Sequence, residues 1–473
     1  MTFFASPHVN HLPDEILGDI FVIGLCNVYP KSKQRYRSTI SSVCRRWRLL
    51  ALNEAKLWTE ISLEVTGLGV SHVGSSAAVR SPLWDGMDNV DEALPLKSSD
   101  AAQLERAAVW LRRSKNAPLC LSMLFRATPA RVQKYFRQLV TPHFHRCKSL
   151  ELRLLEPDQT VINYTALWLP LPGTSHSCLD DVRIHMELGH RGYGNVIDLG
   201  PSLTLRRLYI EMDVFCGRFR SGFGVAGEVE LCGLSLEAAS DILGHCRDVK
   251  KITMRNPTRR LSPLPDSLSF PSLEALHFPS LPNFPIQNAP NLKSLSSDHF
   301  YSPGQWLHLD PATRDSVGRV LTGLEVLRAR VNADSISLIE PFVCSEKLKM
   351  IRVPPVTWQA GEICLFIQFL RTTIDPSPRL SNHERRLHLP FPGLKLLVIH
   401  IKQKGLESWD RHPAWFEPLL RLVRARPNLT FVSDAPPFTA GTPPGLDPLA
   451  RRIHFIPSRL KLENDELIRR FLH

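Results

Sequence analysis

The sequence predicts an α/β chain: a small helical module at the N-terminus, then a long array of short strands lying parallel in a sheet, with corners and helices between them. Three observations predict it. Apolar residues between Leu12 and Trp58 fall at helical spacing. From Asp100 to Leu155 the order helix, strand, helix, strand recurs, with strands starting about 30 residues apart, as right-handed crossovers between parallel strands require. A half-unit of the form L-x-x-L/I-x-apolar then repeats along the rest of the 473 residues.

In the N-terminal stretch Leu12, Ile16 and Ile20 form one i, i+4 row, with Leu17, Phe21 and Leu25 beside it. Ile40, Val43, Cys44, Trp47, Leu50 and Ala51 repeat the pattern. Pro13 suits a first helical turn, where a missing N–H costs nothing, and Asp14 and Glu15 favour the positive end of the helix dipole. The pattern predicts two or three short amphipathic helices. A unit of under about 50 residues does not shelter that much apolar surface alone.

The residues LPDEILGDIF, then VCRRWRLLA, then LW resemble the F-box, the helical module that docks onto the Skp-type adaptor of cullin–RING ubiquitin ligases. The resemblance covers about the first 60 residues. It implies that Leu12 and Pro13 seat in the adaptor's groove, and that Ile16, Leu17, Ile20, Val43, Cys44 and Trp47, the other matching adaptor-binding positions, supply the buried helical face. One segment departs from a compact F-box: Val28 to Ser38, with Lys31, Lys33, Arg35 and Arg37, is longer and more basic. The alternative reading of the same residues is a helical cap on a larger domain, using them only as core.

Residues 1–63 are therefore assigned to the module, 64–99 to a linker or mobile loop of small polar residues without periodicity, and 100–473 to the array. Asp100 and Gln103 form a capping box for a helix through Arg113, and LCLSM alternates as a strand from Leu119. A second helix is expected from about Pro129 to His145, then a strand over KSLELRLL. The repeating half-units carry anchors at Leu179, Leu205, Val249, Leu273, Leu292, Leu324, Leu348, Leu394 and Leu429, spaced from 19 to 46 residues apart. The two widest gaps leave room for a divergent unit or an insertion. Each half-unit reads as a strand after a Pro/Asn/Gly corner that cannot bury its own face, so units stack. Helices are expected at Ser235–Cys246, Glu362–Arg371, Pro413–Ala425 and Glu463–Leu472. The array resembles an irregular leucine-rich-repeat solenoid of the kind behind many fungal F-boxes, and WLRRSKNAPLCLSML resembles the entry to that region. The alternative is an ordinary α/β domain whose strands end in Leu.

With 43% hydrophobic and 22% charged residues the chain is globular in composition, and its 38 prolines predict frequent corners. The net charge is +12, carried as scattered pairs such as Arg206/Arg207 and Lys250/Lys251 with no nucleic-acid motif. Ten cysteines without a CxxC fit free thiols in a reducing compartment. The start MTFFASPHVNHLP has no charged n-region before an apolar core, and no run of about 18 apolar residues occurs. A cytoplasmic or nuclear protein without a membrane span is expected, with the sequons at Asn163 and Asn428 idle.

Two patterns imitate chemistry. GFGVAG, Gly222 to Gly227, has G-x-G-x-x-G form but is followed by the strand-like EVELCGL, not a helix, so a glycine turn between strands is expected. His143, His145 and Cys147 lack a second ligand pair at zinc-finger spacing. No catalytic residue, cofactor or metal ligand is assigned. The resemblance implies a non-catalytic substrate receptor, docking the adaptor with its module and a protein target with its array. The competing reading is a basic scaffold for nucleic acid or an acidic protein partner. An adaptor-bound structural partner without a target comes third and a metabolic enzyme last.

Overall fold

The computed structural model describes residues 11–29, 32–65, 98–126, 136–155, 167–168, 178–187, 195–212, 217–257, 263–298, 305, 308–329, 345–356, 366–368, 370–371, 391–401, 416–433 and 452–455. The chain divides into two units, Met1–Cys246 and Arg247–His473.

The first unit opens with three helices, α1 (Asp14–Cys26), α2 (Lys33–Val43) and α3 (Arg45–Asn53), closed by a 3-10 turn, Ala55–Trp58. Helix α1 begins where Pro13 places it: its first bond runs from Leu17 N–H to the Pro13 carbonyl, at 3.0 Å. The Tyr36 ring of α2 rests against Gly24 of α1: a Cβ there would stand 2.0 Å from the Tyr36 hydroxyl, so the ring would have to shift. The helices enclose Leu17, Phe21, Leu25, Ile40, Ala51, Leu57 and Trp58, with Trp110 from the next helix packed against the same core.

The chain then enters β1 (Glu60–Val65), helix α4 (Ser98–Arg113), and strands β2 (Leu119–Phe125), β3 (Cys147–Leu155), β4 (Leu167–Trp168), β5 (Asp181–Glu187), β6 (Asn195–Met212) and β7 (Gly217–Cys232), followed by helix α5 (Leu236–Leu243). Every strand pairing in this unit is parallel, in the order β1-β2-β3-β5-β6-β7, with β4 beside β6. The register aligns whole rows of one residue type. Ile61, Leu121, Leu150, Val182, Leu208 and Val229 stand side by side and are all buried. On the opposite face the matching row is Ser62, Ser122, Glu151, Arg183, Tyr209 and Glu230. Period-two alternation places apolar groups on one side and polar groups on the other.

The second unit repeats the scheme with β8 (Lys251–Arg255), β9 (Ala275–His277), β10 (Ser294–Ser297), β11 (Val326–Ala329), β12 (Met350–Val356), β13 (Leu396–Ile401), β14 (Thr430–Ser433) and β15 (Ile453–Phe455), plus helices α6 (Pro311–Thr322) and α7 (Phe416–Ala425). Each strand pairs parallel with the next. Ile252, Leu276, Leu295, Leu327, Ile351, Leu397 and Phe431 form the buried row. One backbone device recurs at the corners. The Lys250 carbonyl accepts from both Glu274 and Ala275 N–H, that of Glu274 from Lys293 and Ser294, that of Lys293 from Glu325 and Val326, and that of Glu325 from Lys349 and Met350.

All nine anchors are at most 3% exposed, and each predicted half-unit contains a strand. The wide gap between Leu205 and Val249 holds β7 and α5. Ser235 caps α5 as expected, its hydroxyl accepting from Ala238 N–H at 3.2 Å. The helix predicted over Pro413–Ala425 is α7, and the described part of Glu362–Arg371 is helical. Glu463–Leu472, most of the 64–99 linker, and Asn163 lie outside the described residues.

Several expectations are corrected. Glu64 and Val65 belong to β1, so the module boundary at 63 falls inside a strand. Helix α4 starts at Ser98, and the Gln103 carboxamide oxygen accepts from Glu64 N–H at 3.1 Å, so Gln103 ties the helix to β1 instead of closing a capping box. The described end of the Pro129–His145 helix is a π turn, Phe136–Val140, then a 3-10 turn, Thr141–Arg146. GFGVAG is not a turn but lies within β7. Between Val225 and Glu228 that strand carries one residue more than β6 does between Leu205 and Arg207. At this bulge a Cβ on Gly227 would stand 2.1 Å from the Arg206 carbonyl oxygen. Helix α6 was not anticipated, although Asp310 followed by Pro311 is a start signal; the Asp310 carboxylate accepts from Thr313 N–H at 3.0 Å.

Gly227→Ala is expected to cost at least about 2 kcal/mol, because it sets a methyl group against a carbonyl that the β6–β7 register holds in place. Urea denaturation followed by tryptophan fluorescence checks this, and an unchanged midpoint would mean that the bulge relaxes freely.

Candidate functional site

The two apolar rows of α1 part company in the structure. Leu17, Phe21 and Leu25 are buried in the module's own core, whereas Ile16, Ile20 and Ile23 are 49%, 42% and 61% exposed. The exposed three follow i, i+4, i+7 spacing and so share one face of the helix. Val43 at the end of α2 and Leu49 on α3 are each 54% exposed, and Tyr29 just beyond α1 is 84% exposed. Fully covering a side chain of this size is worth about 1.5–3 kcal/mol, so covering what remains open on each supplies roughly 1 kcal/mol. Several together are needed to hold a partner.

The eight residues proposed from the sequence divide accordingly. Ile16, Ile20 and Val43 face outward, Pro13 is exposed, and Leu12 is half-buried. Leu17 is fully enclosed in the module's own core. Trp47 is half-buried and leans on Phe21, with ring centroids 4.8 Å apart. Cys44 takes extended backbone as the N-cap of α3, its sulfur accepting from Trp47 N–H at 3.4 Å. Ile23 was missed although it continues the Ile16/Ile20 row. Arg46 was missed too: its guanidinium donates to the Leu12 carbonyl at 2.5 Å and to the Asp14 carboxylate at 2.6 and 2.9 Å. Through this clamp the start of α3, next to Val43 and Cys44, is held at the Leu12–Pro13 entry of α1.

The basic segment before α2 faces its own chain at two points. Lys33 pairs with Glu60. Arg37 is 4% exposed; its Nε donates to the Leu57 carbonyl at 2.6 Å and its Nη2 to the Glu60 carbonyl at 2.8 Å. Its guanidinium lies 5.8 Å from the Trp58 ring centroid and 5.5 Å from that of Trp110. Burial lowers its pKa and the Glu60 carboxylate opposes that shift. Arg113 lies over Trp58 at 4.7 Å, and the Trp58 indole N–H donates to the Ala51 carbonyl at 2.8 Å. Module and first strand are therefore welded through one cation–aromatic joint.

The imitations of chemistry resolve into structure. His143 accompanies Arg146 at 3.3 Å, and burial, then the Arg146 charge, lowers its pKa. Arg146 is itself buried, donating to the Ser114 hydroxyl and the Ala117 and Leu111 carbonyls at the end of α4. The Cys147 thiol is buried, directed at the Ser149 carbonyl, and pushed up to about 12 by burial. Among the described residues no group of three His, Cys, Asp or Glu side chains is placed to hold a metal ion, and no helix is long and apolar enough to cross a membrane.

The exposed stripe holds no nucleophile or acid–base pair; what it can do is lose water against another apolar surface. No curated protein matches the chain. Residues 9–64, which run from just before α1 into β1, match the family model described as F-box-like, and this match supports an F-box protein.

Proposed function

We propose that this chain is the substrate-recognition subunit of a cullin–RING ubiquitin ligase. Its N-terminal module captures a Skp-type adaptor, and its strands, read as an irregular leucine-rich-repeat-like solenoid, hold a protein target. The observation that carries the proposal is the Ile16–Ile20–Ile23 stripe, left open on a helix whose neighbouring row is sealed. The F-box-like match over the same residues supports a Skp-type adaptor as the partner. F-box proteins generally act as non-catalytic receptors, so the chain contributes proximity: the target's lysine meets the conjugating enzyme of the assembled ligase at high effective concentration. We place it in the cytoplasm or nucleus, where its scattered thiols stay reduced.

Point variants separate docking from folding better than truncation does, because Arg37 and Trp110 bind the module to β1 and α4. Ile16→Asp combined with Ile20→Asp is expected to reduce adaptor capture at least tenfold in a pulldown while the thermal unfolding midpoint stays within a few degrees, since both side chains are already open to water. Leu12→Ala with Pro13→Ala should weaken capture less. Leu17→Asp, one position along the helix from Ile16, should instead lower the unfolding midpoint sharply. Undiminished capture by the Ile16/Ile20 variant would refute the docking face.

Arg37→Ala removes two charged hydrogen bonds and a buried cation, and is expected to cost roughly 3 kcal/mol. Urea denaturation of the adaptor-free chain reads the loss as a lower midpoint. A midpoint that does not move would show that the joint contributes nothing.

A further inference from the structure

On the polar side of the strands, arginines of the first unit are paired where Arg328 of the second is not, among the described residues. In the first unit Arg153 pairs with Glu151 at 2.7 Å, and Arg183 and Arg207 pair with Asp181 at 3.4 and 2.8 Å. In the second unit the register sets Thr253, His277, Ser296 and Arg328 in one row across β8–β11, with Lys251, Ala275, Ser294 and Val326 in the row beside it. Arg328 is half-exposed and makes no ion pair among the described residues. Lys251 and Arg255 are exposed. The carboxylates at the strand entries, Glu274 and Glu325, are taken by Lys293 and Lys349 at 3.6 and 2.8 Å. At the far ends of the strands stands Asp298, just past β10.

The positive charge converges on His277. Burial lowers its pKa, and the charges of Arg328 and Arg255 lower it further against the opposing pull of Asp298. Its Nδ1 is engaged with the Ser296 hydroxyl at 2.7 Å. Further along the sheet both faces of β12 and β13 are buried from Met350 to Val353 and from Leu396 to Ile399, and on β8 Thr253 is buried too, so the open strip is β9–β11 with the two exposed ends of β8, Lys251 and Arg255. Four strands span about 15 Å, the breadth of one extended chain segment.

We infer that this strip seats an acidic, Asp/Glu-bearing segment of a protein partner, with a carboxylate meeting Arg328 and accepting from the hydroxyls of Ser294 and Ser296, in the positive field to which the exposed Arg255 adds. Guanidinium groups pair with carboxylates through charge-assisted hydrogen bonds, and Arg328, in no ion pair among the described residues, leaves that pairing to a ligand. A peptide fits better than a nucleic acid, because β8–β11 carry no Phe, Tyr or Trp on which bases would stack. The inference rests on reading the chain as a target receptor and supplies the chemistry of what it receives.

The test is fluorescence anisotropy of the full chain with labelled oligo-glutamate, its oligo-glutamine counterpart and a single-stranded oligonucleotide of equal charge, alongside adaptor capture by the same preparation. Oligo-glutamate should bind best. Arg328→Gln should weaken it roughly tenfold, the loss of one charge-assisted contact, while Arg153→Gln, on the neutralised face, should leave it unchanged. Should Arg328→Gln lower the unfolding midpoint, the exposed Arg255, changed to Gln, provides the second reading with the same expected direction. Tighter binding of the oligonucleotide, equal binding of the glutamine peptide, absence of glutamate binding, or indifference to both arginine variants would overturn the inference. Adaptor capture that persists beside any of these outcomes confines the failure to this strip and leaves the docking role standing.

Discussion

One buried guanidinium decides how the N-terminal module meets the first strand. Arg37 lies on a helix of the N-terminal module, yet its hydrogen bonds go to the carbonyls of Leu57 and Glu60, where the module turns into β1. Removing such a charge from water is costly, and the cost is met only because two carbonyls and two indole faces receive it in fixed directions. The geometry leaves little freedom: Trp58 is held between Arg37 and Arg113, and Trp110 closes over the same core. The consequence is mechanical. A partner gripping α1 grips the first strand as well, so the module is no tethered bead but the end of the first unit.

Beyond that joint, a repeated use of one backbone carbonyl carries the architecture. The residue following each of the anchors Val249, Leu273, Leu292, Leu324 and Leu348 accepts two N–H groups from the next corner. This fixes where a strand starts and leaves the length of the preceding connection free. Loop closure grows in cost only slowly with length, so anchors 19 or 46 residues apart fit the same scheme. Irregular spacing is tolerated because the ladder, and not the connection, sets the register.

This division also explains what was legible in the sequence. Strand positions could be read, since a buried leucine followed by alternation has few other meanings, and all nine anchors lie inside. The module's helices could be read for the same reason. Which of its apolar rows faced out could not: Ile16 and Leu17 are equally apolar, and the choice between them depends on where α2, α3 and Trp110 come to rest. Periodicity says that two rows exist and tertiary packing says which one is spent. Cys44 and Trp47 show the same limit, since a cap and an aromatic contact within the module look, in one dimension, like any other matched position. The bulge at Gly227 was hidden for a different reason: the clash that demands glycine comes from Arg206, on the neighbouring strand.

The charge of the chain is a last case in which composition needs geometry. A net +12 invites a nucleic-acid reading, but part of that charge never meets solvent. Arg37, Arg146, Arg352 and Arg426 are each at most 6% exposed. Arg146 and Arg426 repeat the device of Arg37, donating to carbonyls at the ends of neighbouring elements; Arg426 reaches Phe391 and Leu370 at 2.9 and 3.0 Å, and burial brings its pKa down to about 10. Arginine suits this work because its planar fork satisfies two acceptors at once while staying charged. On the polar side of the first sheet further arginines are neutralised by Asp181 and Glu151. A formal sum counts all of these alike, although a buried or paired cation adds little to the field a partner feels. For this chain the sign of the described surface has to be taken strand by strand, with each arginine weighed by its burial and its partners.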